Sequence, residues 1–470
     1  MNARSLQARE VQVTPTQLRA LAAQRPDLFP VLLDSAAVGA LGRYSVLAAM
    51  PGAKLLLWGD GRLECQGVVL RSADFLSALD EWWDLERTVL DSRSMQASGL
   101  PFRGGWIVYL GYELAAQIET GLKLPALAPD CLCALALRVP AALIYDHVKN
   151  HCTLVVAADM TDAGAEIIDA LAALAALPVP ANAGGNAASA GGFAPSEAVE
   201  EQPEQFRAAV LRAQQHIAQG DIYQANLSRG WQVALEPGAD IGVLYERLRF
   251  ANPAPFAAYA TLPSTTILSS SPERLVRVTN GLVETRPIAG TRARRGTPAT
   301  DRPEMLELLA NPKERAEHVM LIDLERNDLG RICNAGSVEV NEFMVTESYP
   351  HLHHIVSNVR GRLRPGVTPG ATLRAVFPGG TITGCPKYRC MQIIAELEGV
   401  ARGAYTGSLG FLNTDGDMDF NILIRTATVR GRELRFRAGA GIVADSDWQR
   451  ELAETRAKAQ GMLRAFGASA

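Results

Sequence analysis

Apolar residues recur at helical spacing over Thr16–Ala23, Asp162–Leu177, Glu204–Gln219, Pro303–Leu324, Ala371–Val376, Lys387–Leu397 and Ser446–Phe466. That spacing predicts helices there, with Gly220 as a C-cap after the third. Short apolar runs and alternations predict strands at Lys54–Trp58, Gly105–Leu110, Ala141–Tyr145 and Cys152–Ala157. Further along, the same signal appears at Thr266–Ser269, Leu275–Thr279, Leu282–Arg286, Ser337–Val340, His354–Arg360, Gly407–Leu412, Asp419–Val429 and Glu433–Ala438. Asn-Gly joins 275–279 to 282–286, and Arg-Gly joins 419–429 to 433–438, so hairpins and antiparallel pairing are expected. The predicted class is α+β (mixed α/β), with large antiparallel β-sheets flanked by helices.

One stretch breaks the pattern. Residues 178–203, PVPANAGGNAASAGGFAPSEAVEEQP, are rich in Ala, Gly, Pro and Ser and have no apolar period. Such a segment cannot bury enough surface to offset its ordering entropy. It divides the chain into residues 1–180, a linker or loop at 181–204, and residues 205–468.

Composition changes this picture little. The chain has 470 residues, 48% hydrophobic and 20% charged, with a net charge of -4. That is ordinary for a globular protein, and the net charge does not suggest a general affinity for nucleic acid, whose backbone requires a basic face. The first dozen residues have no apolar core of the signal-peptide kind, and no apolar run is long enough to span a bilayer. A cytoplasmic protein with no membrane and no nucleic-acid partner is expected. The seven cysteines are scattered, with no paired CxxC units to bind zinc, and read as reduced buried thiols.

The candidate chemistry lies after residue 205. In Asn311–Leu324, Glu314 and Glu317 share a helix face with Leu321 and Leu324. They are either a capping or salt-bridged pair, or metal ligands. The last helix repeats the arrangement: Glu451, Glu454 and Lys458 fall within an arc of about 60° beside an apolar stripe. Unpaired buried carboxylates are costly, and oxygen ligands without Cys or His suit Mg²⁺. FPGGTITGCPK at 377–387 opens a helix with glycines and threonines, including Thr383, and could hold an anion. Gly439 and Gly441 in AGAGIV would let backbone donors approach an anion. Arg425, within NILIRTATV, is either a buried ion pair or a carboxylate clamp. His354, entering a strand, is either structural or an acid/base group. Together these residues suggest a divalent metal and a small polyanionic substrate.

Taken together, the motifs resemble the chorismate-binding enzyme family over about residues 205–468. They include GDIYQANLS (220–228), SPERL (271–275), RPIAGT (286–291), KERAEHVMLIDLERNDLGR (313–331), HHIVS (353–357), FPGGTITGCPK, MDFNILIRT (418–426), AGAGIVADS (438–446) and ELAETRAK (451–458). The resemblance implies the fold of anthranilate synthase component I. It implies Mg²⁺ held by Glu317 and Glu454, with Glu314 and Glu451 in support. Arg425 and Tyr405 would hold the enolpyruvyl side chain, Gly439 and Gly441 its carboxylate, with Lys458 and Thr383 also on the substrate. Glu273 would be the acid that helps the C4 hydroxyl leave, and His354 and Thr291 would lie near the reacting ring.

Gln224 stands where the isochorismate- and salicylate-forming branches have a lysine that activates water. A glutamine cannot act as that base, so ammonia attack is favoured. Ala289 in PIAGT stands where the aminodeoxychorismate branch commonly has a nucleophilic lysine, and so matches the anthranilate branch. YQANLS, SSSPERL, GGTITGCPK and His353-His354 match the aminodeoxychorismate branch instead; the anthranilate branch more usually has QVV, FPAGT and GAPK. The expected function is aminodeoxychorismate synthase component I, with anthranilate synthase component I and a non-catalytic chorismate-binding subunit as alternatives. No glutaminase signature is present, so the resemblance implies a glutamine amidotransferase partner that supplies ammonia. Leu33, Asp34 and Ser35 resemble an element that lines a tryptophan pocket in the family, and read equally well as a strand edge and turn.

Overall fold

The computed structural model describes all residues except 1–5, 40, 88–98, 158–163, 176–195, 294–305, 307–309, 349–351 and 470. Side chains at 196, 289–293, 313, 314, 348, 352–354 and 469 also lie outside the description. Two large sheets dominate. The first runs in the order Gln7–Val11, His151–Val156, Ala141–Asp146, Tyr44–Ala49, Val31–Asp34, Phe256–Leu262, Thr265–Ser271, Thr426–Arg430, Glu433–Ile442, Gln224–Ala234 and Ser196–Glu200. The second runs Ile288–Ala293, Leu352–Arg362, Leu282–Thr285, Arg274–Thr279, Met418–Asn421, Ser408–Asn413, Gly105–Leu110, Leu132–Val139, Lys54–Trp58 and Leu63–Gln66. The pairing along both is antiparallel, as the turn signals predicted. At the first hairpin Asn280 and Gly281 both have positive φ, the conformation a two-residue Asn-Gly turn requires.

The sheets face one another across a core containing Val31, Val46, Ile107, Leu135, Ala258 and Leu423. The outer face of the first sheet packs under the helices Pro15–Gln24, Gly164–Ala175, Ile241–Ala251 and Trp448–Ala465. The outer face of the second packs under Phe75–Glu86, Pro312–Gly330 and Pro369–Val376. The result is a helix–sheet–sheet–helix sandwich, in agreement with the expected class. Gly105–Leu110 is buried at every position, which is why it reads as an unbroken apolar run; Leu132–Val139, not expected as a strand, is buried throughout as well, including Arg138.

Several expectations need correcting. Residues before and after the 181–204 segment do not build separate sheets. Val31–Asp34 pairs with Phe256–Leu262, and Gly105–Leu110 pairs with Ser408–Asn413, so both sheets are shared. Part of the expected linker, Ser196–Glu200, is a strand against Gln224–Ala234. The expected strand Asp419–Val429 is two strands in different sheets, interrupted at 422–425. Helices Phe75–Glu86 and Ile241–Ala251 were not expected; each begins at an aspartate N-cap, Asp74 or Asp240, accepting from backbone amides, a contact typically worth ~1 kcal/mol. The helix expected over Pro303–Leu324 is described as Pro312–Gly330. All seven cysteines are free thiols, four of them buried.

Candidate active site

The site forms where the chain crosses twice between the two sheets. Thr265–Ser271 belongs to the first and Arg274–Thr279 to the second, so Pro272 and Glu273 form one crossing. Residues 422–425 form the other, running the opposite way. The crossings are tied together: Ile422 N–H donates to Glu273 O at 3.0 Å, and Ser270 N–H donates to Arg425 O at 3.0 Å. Arg425 has φ +50°, a left-handed conformation that non-glycine residues rarely adopt. This irregular backbone places polar side chains where both sheets end, beside an apolar core.

Glu273 is 5% exposed. The Thr381 hydroxyl donates to its Oε1 at 2.6 Å. Burial pushes its carboxyl up to about 7, against the opposing pull of Thr381, Arg425 and Lys458. A carboxylic acid half-protonated near neutrality is what a general acid needs. The expected acid therefore sits among the expected cations.

The floor of the site is the pair Gln224–Ala234 and Glu433–Ile442, with Asn226 opposite Gly441 and Ser228 opposite Gly439. Close approach favours glycine at both, more strictly at Gly439, where a Cβ would lie 2.9 Å from the Leu227 carbonyl. A Cβ on Gly439 would lie 2.6 Å from both Asn226 Oδ1 and the Tyr405 hydroxyl, and one on Gly441 would collide with Gln224 Nε2. Tyr405 is buried, which raises its phenol to about 12 and keeps it a neutral donor. It is anchored through Arg402, whose guanidinium lies 5.6 Å from the Tyr405 ring and 4.8 Å from the Tyr112 ring. Arg402 itself is held by Glu398 and donates to Asn226 O at 2.7 Å. The part-buried Glu113 side chain accepts the amides of Arg402 and Gly403, fixing the turn that carries Tyr405. Thr383 is fully buried; its hydroxyl donates to Gly379 O at 3.0 Å and its carbonyl accepts from Asn226 N–H at 2.9 Å. Its hydroxyl is thus spent on the loop rather than offered to a ligand.

The two helices with acid pairs reach the same strand. Gln224 Nε2 donates to Glu317 Oε1 at 3.0 Å, and that oxygen lies 3.6 Å from the Cβ position of Gly441. Lys458 bridges Glu454, at 2.7 Å, to Gly439 O, at 3.0 Å. Glu317 and Glu454 are therefore placed over two positions of one strand. The expectation that these acids face inward needs correcting. Glu454 is half exposed with Lys458 as partner, and Glu317 and Glu451 are only part-buried. The buried stripe of the Pro312–Gly330 helix is His318, Leu321, Ile322, Glu325, Asp328 and Leu329. Acids at the edge of a helix stripe stay hydrated, whereas acids within it do not. Among the described residues no three His, Cys, Asp or Glu side chains form a ready cage. Two edge carboxylates without nitrogen or sulfur suit Mg²⁺, which takes one or two carboxylates plus water and substrate oxygens.

The remaining expected residues divide. The backbone of Thr291 pairs with that of His354, and Ala289 with Ile355, but the side chains of Thr291, Ala289, His354 and Glu314 lie outside the described residues. Leu33, Asp34 and Ser35 line a separate cavity of about 440 Å³ between the sheets, with Tyr44, Pro255 and Phe256, and without Glu273. Asp34 is buried and fully engaged by Ser45, Tyr245 and Arg249.

Sequence reasoning missed Thr381 and Asn226 as site residues, although both lie in motifs it singled out. It also missed Glu325, which burial raises, with Asp328 adding to the effect. Asp328 itself is paired with Lys387. His318 was likewise missed; its Nε2 lies 2.7 Å from the Ser357 hydroxyl, and burial lowers it to about 4.

Residues 58–464 match the family model described as chorismate binding enzyme. The chain belongs to the chorismate-binding enzyme family. It is 39% identical over 436 residues to an anthranilate synthase component I-like protein of Synechocystis, covering 91% of this chain and 83% of that one. It is also 39% identical over 456 residues to aminodeoxychorismate synthase component 1 of Bacillus subtilis, covering 93% and 91%. The crystal structure of anthranilate synthase component I from Streptococcus pneumoniae superposes with a TM-score of 0.79 at 32% identity, covering 91% of this chain and 93% of that one. Family members of both names are thus comparably similar to this chain. No described helix is long and apolar enough to cross a membrane.

Proposed function

We propose that this protein is an aminodeoxychorismate synthase component I, which converts chorismate and ammonia to 4-amino-4-deoxychorismate. The observation that carries an amination is Gln224. Its Nε2 donates to Glu317 at 3.0 Å, and the resemblance implies that it stands where hydroxylating members have a water-activating lysine. A carboxamide takes up no proton at neutral pH, so it cannot deprotonate water, and a nucleophile that attacks without a base, as ammonia does, is favoured.

In this reading Arg425, Lys458 and Tyr405 bind and orient the anionic substrate. Glu317 and Glu454, with Glu314 and Glu451, would hold Mg²⁺; when bound, the metal supplies charge neutralisation to the ring carboxylate. Glu273 donates its proton as the C4–O bond breaks, so that hydroxide leaves as water. Ammonia supplies the electron pair of the new C–N bond, and the proton that nitrogen then sheds restores Glu273. Thr381 holds Glu273 in place. Ammonia would come from a glutamine amidotransferase subunit, consistent with the component naming of the relatives. A gel-filtration shift on mixing with that subunit and glutamine tests this; no shift at micromolar concentration counts against it.

A second reading, anthranilate synthase component I, is favoured by Ala289, which cannot form a lysine-type adduct with the ring. The deciding experiment incubates the protein with chorismate, Mg²⁺ and ammonium, then adds aminodeoxychorismate lyase. Para-aminobenzoate formed only after lyase addition supports the proposal; fluorescent anthranilate before it supports the second reading. The cavity beside Leu33, Asp34 and Ser35 is proposed as a tryptophan site, testable by tryptophan titration against turnover and melting temperature.

A further inference from the structure

Two buried carboxamide oxygens in the site have no hydrogen-bond partner among the described residues: Gln224 Oε1 and Asn226 Oδ1. An unsatisfied buried acceptor is costly to a folded chain, and native proteins keep few of them. These two lie two residues apart on one strand, so their side chains leave the same face. That face covers the glycines. Asn226 Oδ1 is 2.6 Å from the Cβ position of Gly439, as is the Tyr405 hydroxyl, and Gln224 lies against Gly441.

The orientation of Gln224 is set by chemistry. Glu317 can only accept, so Nε2 must face it, and Oε1 is the group left to face a ligand. Asn226 is committed through its backbone, donating to Thr383 O and accepting from Arg402, while its side-chain oxygen is spent on nothing described. The strand therefore presents two neutral acceptors and asks for a ligand with at least two donor hydrogens.

We propose that Asn226 is a nucleophile-binding residue, and that its Oδ1 and Gln224 Oε1 together cradle ammonia by accepting two of its N–H bonds. This rests on the aminating function proposed above. Two accepted N–H bonds leave the nitrogen lone pair free for the ring. Neutral acceptors also exert no charge–charge pull toward the ammonium ion, whose lone pair is occupied. A hydrophobic residue at 226, as in the QVV pattern of the anthranilate branch, would remove half of this cradle, so position 226 would help decide where on the ring nitrogen is delivered.

The test is ammonia-dependent turnover of chorismate by the full chain, with ammonium chloride as the nitrogen source at fixed pH. Asn226→Val should raise the KM for ammonia about tenfold, the factor for one lost hydrogen bond. The KM for chorismate should stay within about twofold. The melting temperature should not fall, because valine removes an unsatisfied buried oxygen. Asn226→Leu, closer in shape, should behave the same way if the valine variant folds poorly. Asn226→Asp should lower kcat, because its carboxylate would hold ammonium. An unmoved ammonia KM in an active Asn226→Val variant, or a rise confined to chorismate, overturns the cradle alone. A wild-type chain that consumes chorismate without forming an aminated product overturns the aminating function, and the cradle with it.

Discussion

Asp34, at the end of a strand of the first sheet, and Glu273, in the crossing from the first sheet to the second, are both buried carboxylates, and they settle on opposite sides of the ordinary range. Burial pushes each upward. At Asp34 that push is overcome by Arg249, Arg19 and the Ser45 hydroxyl, so its carboxyl is held below the usual value. At Glu273 a single threonine hydroxyl and the more distant Arg425 and Lys458 do not overcome it, and the group rests at about 7. Burial alone therefore does not decide whether a carboxylate is an anchor or an acid; the number and charge of its partners do. Asp34 is a permanent anion locking the strand Val31–Asp34 to the helix Ile241–Ala251 through Arg249 and Tyr245. Glu273, held at about 7, is only partly ionised near neutrality.

The contrast can be broken by exchanging what each residue is asked to do. We expect Glu273→Gln to have the largest effect, lowering kcat by about 10²–10⁴-fold, the usual worth of a positioned general acid. Its urea midpoint should be unchanged or higher, since a buried ionisable group is removed. A loss below tenfold would place the acid elsewhere. Asp34→Ala should show the reverse pattern. It leaves Arg249 without its buried partner and should cost about 3–5 kcal/mol in urea unfolding, with turnover per folded molecule preserved. Catalytic loss without destabilisation in that variant would contradict its role as an anchor.

The pH profile is a finer probe. Only protonated Glu273 can donate, so kcat/KM should fall as pH rises through about 7. Thr381 favours the ionised form by donating to it, so Thr381→Val should move this falling limb to higher pH. A limb that does not move would mean that another group titrates. The smallest expected effect is that of Tyr245→Phe, which removes the 3.1 Å hydrogen bond to Asp34 and should cost about 1 kcal/mol in unfolding, with no change in the pH profile.

Much of the site was legible before any coordinates because its motifs are long and contiguous. SPERL and FPGGTITGCPK meet at the Glu273–Thr381 hydrogen bond, AGAGIVADS supplies Gly439 and Gly441, and a pattern of that length survives as a string. What was not legible depends on contacts between distant segments. Thr381 matters because it meets Glu273, 108 residues away in the chain. Asn226 matters because its side chain lies over Gly439. The burial expected for Glu454 was misplaced because helical projection identifies a face but not whether that face meets a core or a pocket rim. The strand Gln224–Ala234 escaped the apolar signal because it buries polar residues that find partners only in the folded chain, as Ser228 does in Glu398 and Arg229 in Glu200.

By itself the sequence determined the class of the fold, the turns of its hairpins, the family, and most of the residues that meet at the site. These follow from local periodicity, turn chemistry and contiguous motifs, which need no knowledge of what packs against what. Tertiary structure decided the rest. Strands from both sides of the 181–204 segment share each sheet, because only long-range hydrogen bonding determines strand neighbours. It also decided which buried carboxylate keeps its proton, because a pKa is set by groups that converge in space. Finally, it left two carboxamide oxygens without partners among the described residues, over a strand with two glycines, since satisfaction is a property of the assembled site and cannot be read from one chain segment.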